Sequence, residues 1–416
     1  MLDGQPGAHP SPRAGSRATQ EADLPLEVAI LLLGALTLLL TGILLFPVSA
    51  GTLPYYEEGL FGLLLVIFAV QTTTMGKTPF GDVRRSKGLL VIGIAIAATG
   101  IVAGFIPGLL GAAPRLLLAV CFGLGAAVML VRLLRDEDKA RTWWRLGGTL
   151  RHLVISLVAV YGLSMLIGVL LLWQQLLAVP VIAMVAVTDA VAISYLAVVL
   201  NDVYHRYPEA ENSVGGDTGL TTDNTLLLLT AAFMLLLGVL LIPVGLGRLP
   251  FSGGAQLGLL MVIFAVQMLA SGNTPLGAFR RSWLMVGAGL LFAALGIVSA
   301  IIPGILVPTL TILIGVLNIL GGLLTVQRIV APLLGRPEPS RSSLTPTEIR
   351  LGVTQVAMGL LSVTFGTSML VAGLIPTPVL GVVLTVNGLV LVYLLVQLTC
   401  SRHRIARVDD ARQLED

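Results

Sequence analysis

The chain reads as an all-α polytopic membrane protein: about twelve transmembrane helices in two parallel six-helix repeats, each of three helical hairpins. Three observations predict this. Of 416 residues, 56% are hydrophobic and only 11% charged, where an ordinary soluble domain would carry roughly 25% charged residues. Gly62 to Ser86, GLLLVIFAVQTTTMGKTPFGDVRRS, returns 196 positions later at Gly258 to Ser282 as GLLMVIFAVQMLASGNTPLGAFRRS. Finally, the Lys and Arg residues cluster on one side of the apolar runs, as the positive-inside rule requires.

Taken in order, residues 1–23 are rich in Gly, Pro, Ser, Ala and Arg without apolar periodicity, the composition of a disordered tail. The run at 26–46 is long enough to span a bilayer, which takes about 20 residues. It ends near Val48, Ser49 and Ala50, a small-residue pattern that also marks signal-peptide cleavage. Yet LLTGILLFPV, ending at Val48, recurs mid-chain as LLLGVLLIPV, ending at Val244, so the segment reads as structural.

The remaining spans of the first repeat (24–200) fall at 58–75, 88–106, 112–134, 153–173 and 176–200. A polar, acidic, Gly-containing stretch at 201–224 reads as a cytoplasmic linker. The second repeat (225–400) follows with spans at 225–246, 255–270, 283–302, 305–327, 351–375 and 379–400, then a cytoplasmic C-terminal tail at 401–416. With the N-terminus inside, 23 of the 25 Lys and Arg lie in inner loops and tails, leaving only Arg115 and Arg248 outside. One helix more or fewer would scramble that division. Trp143, Trp144, Trp173 and Trp283 stand at expected span ends, where indole rings sit at headgroup level. An even number of spans per repeat makes the repeats parallel and not inverted.

Gly-to-Pro phrases close the first, third, seventh and ninth spans: Gly42 to Pro47, Gly100 to Pro107, Gly238 to Pro243 and Gly296 to Pro303. They suggest hairpins in which Pro stops the outgoing helix on the outer side, with Pro180 and Pro378 holding similar places. Gly100 and Gly104 form a GxxxG, a close-contact motif between membrane helices.

These phrases, TGILLFPVSAG and TGIVAGFIPG among them, resemble the HdeD-like short-repeat membrane proteins, as two fused units. That resemblance implies a non-enzymatic inner-membrane protein with a helper or stress-related role and no catalytic residues. A second resemblance is to the major facilitator superfamily, whose twelve helices form two parallel halves with basic motifs after helices two and eight. GDVRRS (Gly81 to Ser86) and GAFRRS (Gly277 to Ser282) occupy those loops. Asp82 stands only two residues before Arg84, however, and Ala278 replaces the acid in the second copy.

Several residues are candidates for function. Asp189 lies midway along the sixth span in VAVTDAVAISYL. An ionised carboxylate there costs several kcal/mol, so the group is protonated, paired or facing water. A shift of 198 aligns Asp189 with Asn387 and Tyr195 with Tyr393. Two readings stay open: an ion-coupling site between the halves, or a protonated acid bonded across helices. Gln71, Gln267 and Asn318, with Gln355, are candidate pathway-lining groups or polar contacts between helices. Arg84, Arg85, Arg280 and Arg281 are candidates for binding anionic lipid headgroups. Arg132 to Arg151, with six basic residues and two Trp, is expected along the membrane surface.

Four His residues, all outside the spans, argue against a haem held in the bilayer. Cys121 and Cys400 sit in or at the end of apolar runs with no CxxC partner, so neither a disulfide framework nor a zinc site is indicated. No phosphate-binding loop follows a strand, because no strand is expected. The expected partners are membrane lipids and other membrane proteins, with no nucleic acid, no cofactor and no metal. Two functions remain in view: an HdeD-like helper, or a secondary transporter with a cavity between the halves and Asp189 as its proton or cation site.

Overall fold

The computed structural model describes residues 22, 24–83, 85–135, 145, 147–173, 176–207, 221–274, 276–278, 281–334, 346–371 and 374–413. Twelve helices are long and apolar enough to cross a membrane. In chain order they are α1 Leu26–Ser49, α2 Glu57–Met75 and α3 Lys87–Phe105, then α4 Ala113–Arg135. They continue as α5 Gly148–Leu172, α6 Val179–Arg206, α7 Thr222–Gly245, α8 Gly253–Ser271, α9 Trp283–Ile301, α10 Val307–Leu334, α11 Pro346–Leu370 and α12 Thr377–Gln413.

Most ends match the sequence reading to a few residues. Several differences are larger. Residues 201–206, read as linker, extend α6, and 222–224 extend α7; α5 starts five residues earlier, α10 runs on to Leu334, α11 is displaced five residues toward the N-terminus, and residues 401–413, read as tail, continue α12. Ala22, read as part of a disordered tail, is buried, and its N–H donates to the Arg281 carbonyl at 2.8 Å. Trp173 and Trp283 are exposed at helix ends as expected; Trp143 and Trp144 lie outside the described residues.

The loop after α2 contains secondary structure that periodicity did not anticipate. α2 stops at Gly76, which has φ 70°, a left-handed conformation glycine adopts without strain. A minimal antiparallel hairpin follows, β1 Lys77–Thr78 against β2 Gly81–Asp82, with Lys77 opposite Asp82. Ser86 then caps α3 by accepting from the Leu89 N–H at 3.2 Å. The loop after α8 repeats each step. Gly272 has φ 71°, β3 Asn273–Thr274 pairs with β4 Gly277–Ala278, and Ser282 accepts from the Met285 N–H at 3.3 Å. Two-residue strands carry no period to detect, which is why composition alone missed them.

The helices pair differently from the hairpins expected across the outer turns. α2 packs most extensively on α3, α4 on α5 and α1 on α6; in the second half α8 packs on α9, α10 on α11 and α7 on α12. Small residues decide this, because they let helix backbones approach closely. A Cβ on Gly62 would fall 2.4 Å from the Gly100 carbonyl oxygen, and one on Gly258 would fall 2.4 Å from that of Gly296. The GxxxG of α3 thus serves α2, its neighbour across the β1–β2 loop. Gly42 likewise abuts Ala183 and Val187 of α6, and Gly238 abuts Gly381 and Thr385 of α12. The prolines also differ from expectation. Pro47 and Pro243 lie inside the last turns of α1 and α7, and Pro180 and Pro378 open α6 and α12. At a helix's first positions Pro removes no needed N–H. Pro107 and Pro303 do follow the ends of α3 and α9.

The halves meet through α1, α2 and α3 on one side and α7, α8 and α9 on the other. α2 and α8 are central: 72% and 78% of their apolar windows are buried, against 22–56% for the other ten. The contacts are reciprocal. At one end the Tyr56 N–H donates to the Ile301 carbonyl and the Ser252 N–H to the Phe105 carbonyl, both at 2.9 Å. At the other end Arg85 donates to Thr225 Oγ1 at 3.0 Å and Arg281 to the Leu24 carbonyl at 2.5 Å. Each arginine therefore reaches the start of the opposite half, so both halves begin at the same end of the molecule.

Candidate functional site

A pocket that reaches buried polar groups lies within the first half. A partly open cavity of about 430 Å3 is bordered by α1, α2, α4, α5, α6 and the β1–β2 turn. Its end at the β1–β2 turn is walled by Glu27, Lys77, Thr78 and Pro79, its far end by Leu38, Cys121 and Ser164, and Gln71 and Tyr161 also line it. Along α1 the wall runs from Glu27 to Leu38, about 16 Å at 1.5 Å per residue, or roughly half the 30 Å hydrocarbon thickness.

Local sequence explains how each group arrives there. Glu27 is in the first turn of α1, where the helix dipole favours an acid. Lys77 follows the left-handed Gly76 and so points back toward α1. The two form an ion pair, with side chains 15% and 22% exposed, and the Tyr204 hydroxyl donates to the same carboxylate. Within α4, Val120–Gly125 takes a π-helical turn, and two of its residues, Cys121 and Phe122, face the cavity. Such turns insert one residue into a helix and recur at functional sites. The equivalent stretch of α10 is regular α-helix.

Asp189 is fully buried just beyond the far end. The Ser164 hydroxyl, itself on the cavity wall, donates to Asp189 Oδ2 over a long 3.5 Å. Asp189 Oδ1 has no hydrogen-bond partner among the described residues. Ser164 thus separates the carboxyl from the cavity by a single side chain.

The other sequence candidates disperse. Tyr195 is exposed and bonds His152 Nδ1 at 2.8 Å, and Tyr393 is exposed as well. Neither joins the acid or its isostere, because six residues at 100° each turn the helix by about 240°. Asn387 is half-buried, with Oδ1 unpartnered among the described residues. Gln71 does line the cavity, but Gln267 is committed to Thr230 Oγ1 at 2.7 Å. Asn318 donates to its own helix at the Ile314 carbonyl, 2.9 Å away. Arg85 and Arg281, expected to meet lipid headgroups, instead turn inward to bridge the halves; Arg84 and Arg280 lie outside the described residues. The void between the halves, lined by Val66, Phe233, Val266 and Gln267 among others, holds only about 30 Å3. That void is far smaller than the solute-sized cavity expected between the halves. Reciprocal backbone hydrogen bonds and the Phe105–Phe233 ring contact at 5.6 Å close that seam.

Glu27, Lys77, Gly34, Tyr161 and Ser164 were not singled out as site residues from the sequence. One signal was available: the 198-residue shift that aligns Asp189 with Asn387 also aligns Ser164 with Ser362, so each polar pair is carried by the same two helices. No group of three or more His, Cys, Asp or Glu that would hold a metal occurs among the described residues. The chain matches no protein-family model, no curated protein and no solved structure.

Proposed function

We propose that this multi-pass protein is a non-enzymatic secondary carrier. Its solute chamber lies within the first half, and Asp189 is its proton-coupling group. One observation carries the reading: a cavity from the inner hairpin to mid-span ends on Ser164, whose hydroxyl touches a fully buried, half-satisfied carboxyl. A lone acid at that depth is a functional group by default, since its charged form is costly there. The placement of Lys and Arg argues for the inner membrane with both termini cytoplasmic. The contacts that recur 196 residues apart argue for a duplicated six-helix ancestor. On this reading the second half is a scaffold, and alternation belongs to α4 and α5 moving against α1, α2 and α6, because the seam between halves has no room to rock.

The test is solute-driven proton movement in proteoliposomes containing a pH-sensitive dye, screened with small amphipathic solutes. At least one solute should move protons with the natural protein and fail to do so with Asp189→Asn. If no solute moves protons, or if Asp189→Asn moves them equally well, the carrier reading falls. The HdeD-like helper is then the reading that remains, and the tight packing between the halves favours it.

A further inference from the structure

We infer that the chamber takes a lipophilic cation, a small apolar body bearing one ammonium-like charge, with that charge held at the Ser164–Asp189 end. This rests on the carrier reading above and names its substrate class.

Charge is the first argument. Two charged side chains lie on the wall, Glu27 and Lys77, and they neutralise each other. Asp189, behind Ser164, is the remaining acid, and no Lys, Arg or His pairs with it among the described residues. An occupant that supplies the missing positive charge gains what the protein does not provide. The surroundings are the second argument. Phe68, Phe122 and Tyr161 stand on the wall amid aliphatic residues, and aromatic faces attract cations while tolerating apolar substituents. A sugar or amino acid would leave most of its hydrogen bonds unmet on such walls.

The second half carries different residues at the matching positions. Asn387 replaces the acid, and Thr230 stands where the first half has Gly34. Thr230 accepts from Gln267, while the equivalent Gln71 borders open space beside Gly34, at which a Cβ would meet nothing within 4 Å. Gly34 thus keeps the chamber clear, and Gly34→Thr should let Gln71 bridge to the new hydroxyl and plug it.

The experiment uses the full-length protein in lipid nanodiscs and a matched pair of probes: benzyltrimethylammonium, and neopentylbenzene, in which carbon replaces the charged nitrogen. Each is titrated while the thermal unfolding midpoint is followed, since a ligand of the folded state raises it. The cation should bind on the order of tenfold tighter than its isostere. Asp189→Asn should bring the two within about threefold, and Gly34→Thr should abolish stabilisation by either. Asn387 in the matching position shows that the helix pair accommodates an amide. Should Asp189→Asn keep the full preference, or the natural protein prefer the neutral probe, the cation inference is overturned and the chamber survives. Should both probes stabilise Gly34→Thr as well as the natural protein, or stabilise neither, the chamber itself is refuted.

Discussion

Replacing Gly62 with Ala tests whether small residues, and not the outer turns, choose the helix pairs. A Cβ there would fall 2.4 Å from the Gly100 carbonyl oxygen and 2.8 Å from the Gly104 backbone nitrogen. Ordinary contact begins at 3.4 Å, so α2 and α3 must part by about 1 Å. Both partners are backbone, so no flexible side chain can yield instead. Overpacking of this kind costs about 1–3 kcal/mol, and the widened seam loses dispersion contacts along its length. Gly287→Ala is the control: Gly287 is exposed in α9 with nothing within 4 Å of its Cβ position. There the helix propensity of Ala should add up to about 1 kcal/mol in stability. Equilibrium unfolding in mixed micelles should therefore move the two variants in opposite directions. If Gly62→Ala is as stable as Gly287→Ala, close backbone approach is not what sets the pairing.

Other perturbations have defined outcomes. Glu27→Gln should destabilise the fold by about 1–2 kcal/mol, because Lys77 keeps its charge in a mostly buried site; a double-mutant cycle with Lys77→Met should recover most of the loss. Arg281→Ala and Arg85→Ala should each cost about 1–3 kcal/mol through a lost charged hydrogen bond between the halves, measured by chemical unfolding. Burial first, and then the Glu58 charge, raise the Tyr56 phenol above its ordinary 10.0. The fold holds this proton more tightly than the unfolded chain, so the contribution is complete below pH 10.0 and declines above it. Tyr56→Phe should flatten that alkaline decline in thermal scans. For topology, Leu109→Cys should react with an impermeant reagent added outside intact cells, and Arg206→Cys should not, in a background lacking Cys121 and Cys400. The opposite pattern would invert the assigned orientation.

The candidate site was legible in part. Asp189 and Gln71 stood out as polar groups in apolar runs, a one-dimensional property. Glu27 and Lys77 looked like ordinary span-edge charges because their pairing joins the start of α1 to a hairpin fifty residues on. Tyr195 and the two arginines misled for the same reason: a helix position says nothing of which face meets a neighbour. Arg85 and Arg281 satisfied the positive-inside rule and also crossed between halves, and the rule accounts for the first fact only.

Number, length and order of the spans were determined by the sequence alone, because transfer of about 20 apolar residues into lipid is a local energy, summed along the chain. The internal likeness of the two halves was legible there too. Partner choice was decided only in three dimensions: lipid is as apolar as Leu, so hydrophobicity does not tell one helix neighbour from another, and backbone fit at Gly62, Gly42 and their counterparts does. The same holds for the chamber. One absent side chain at Gly34 leaves it open in the first half, and one hydroxyl at Thr230 engages Gln267 in the second, a distinction that exists only where α1 and α2, or α7 and α8, lie side by side.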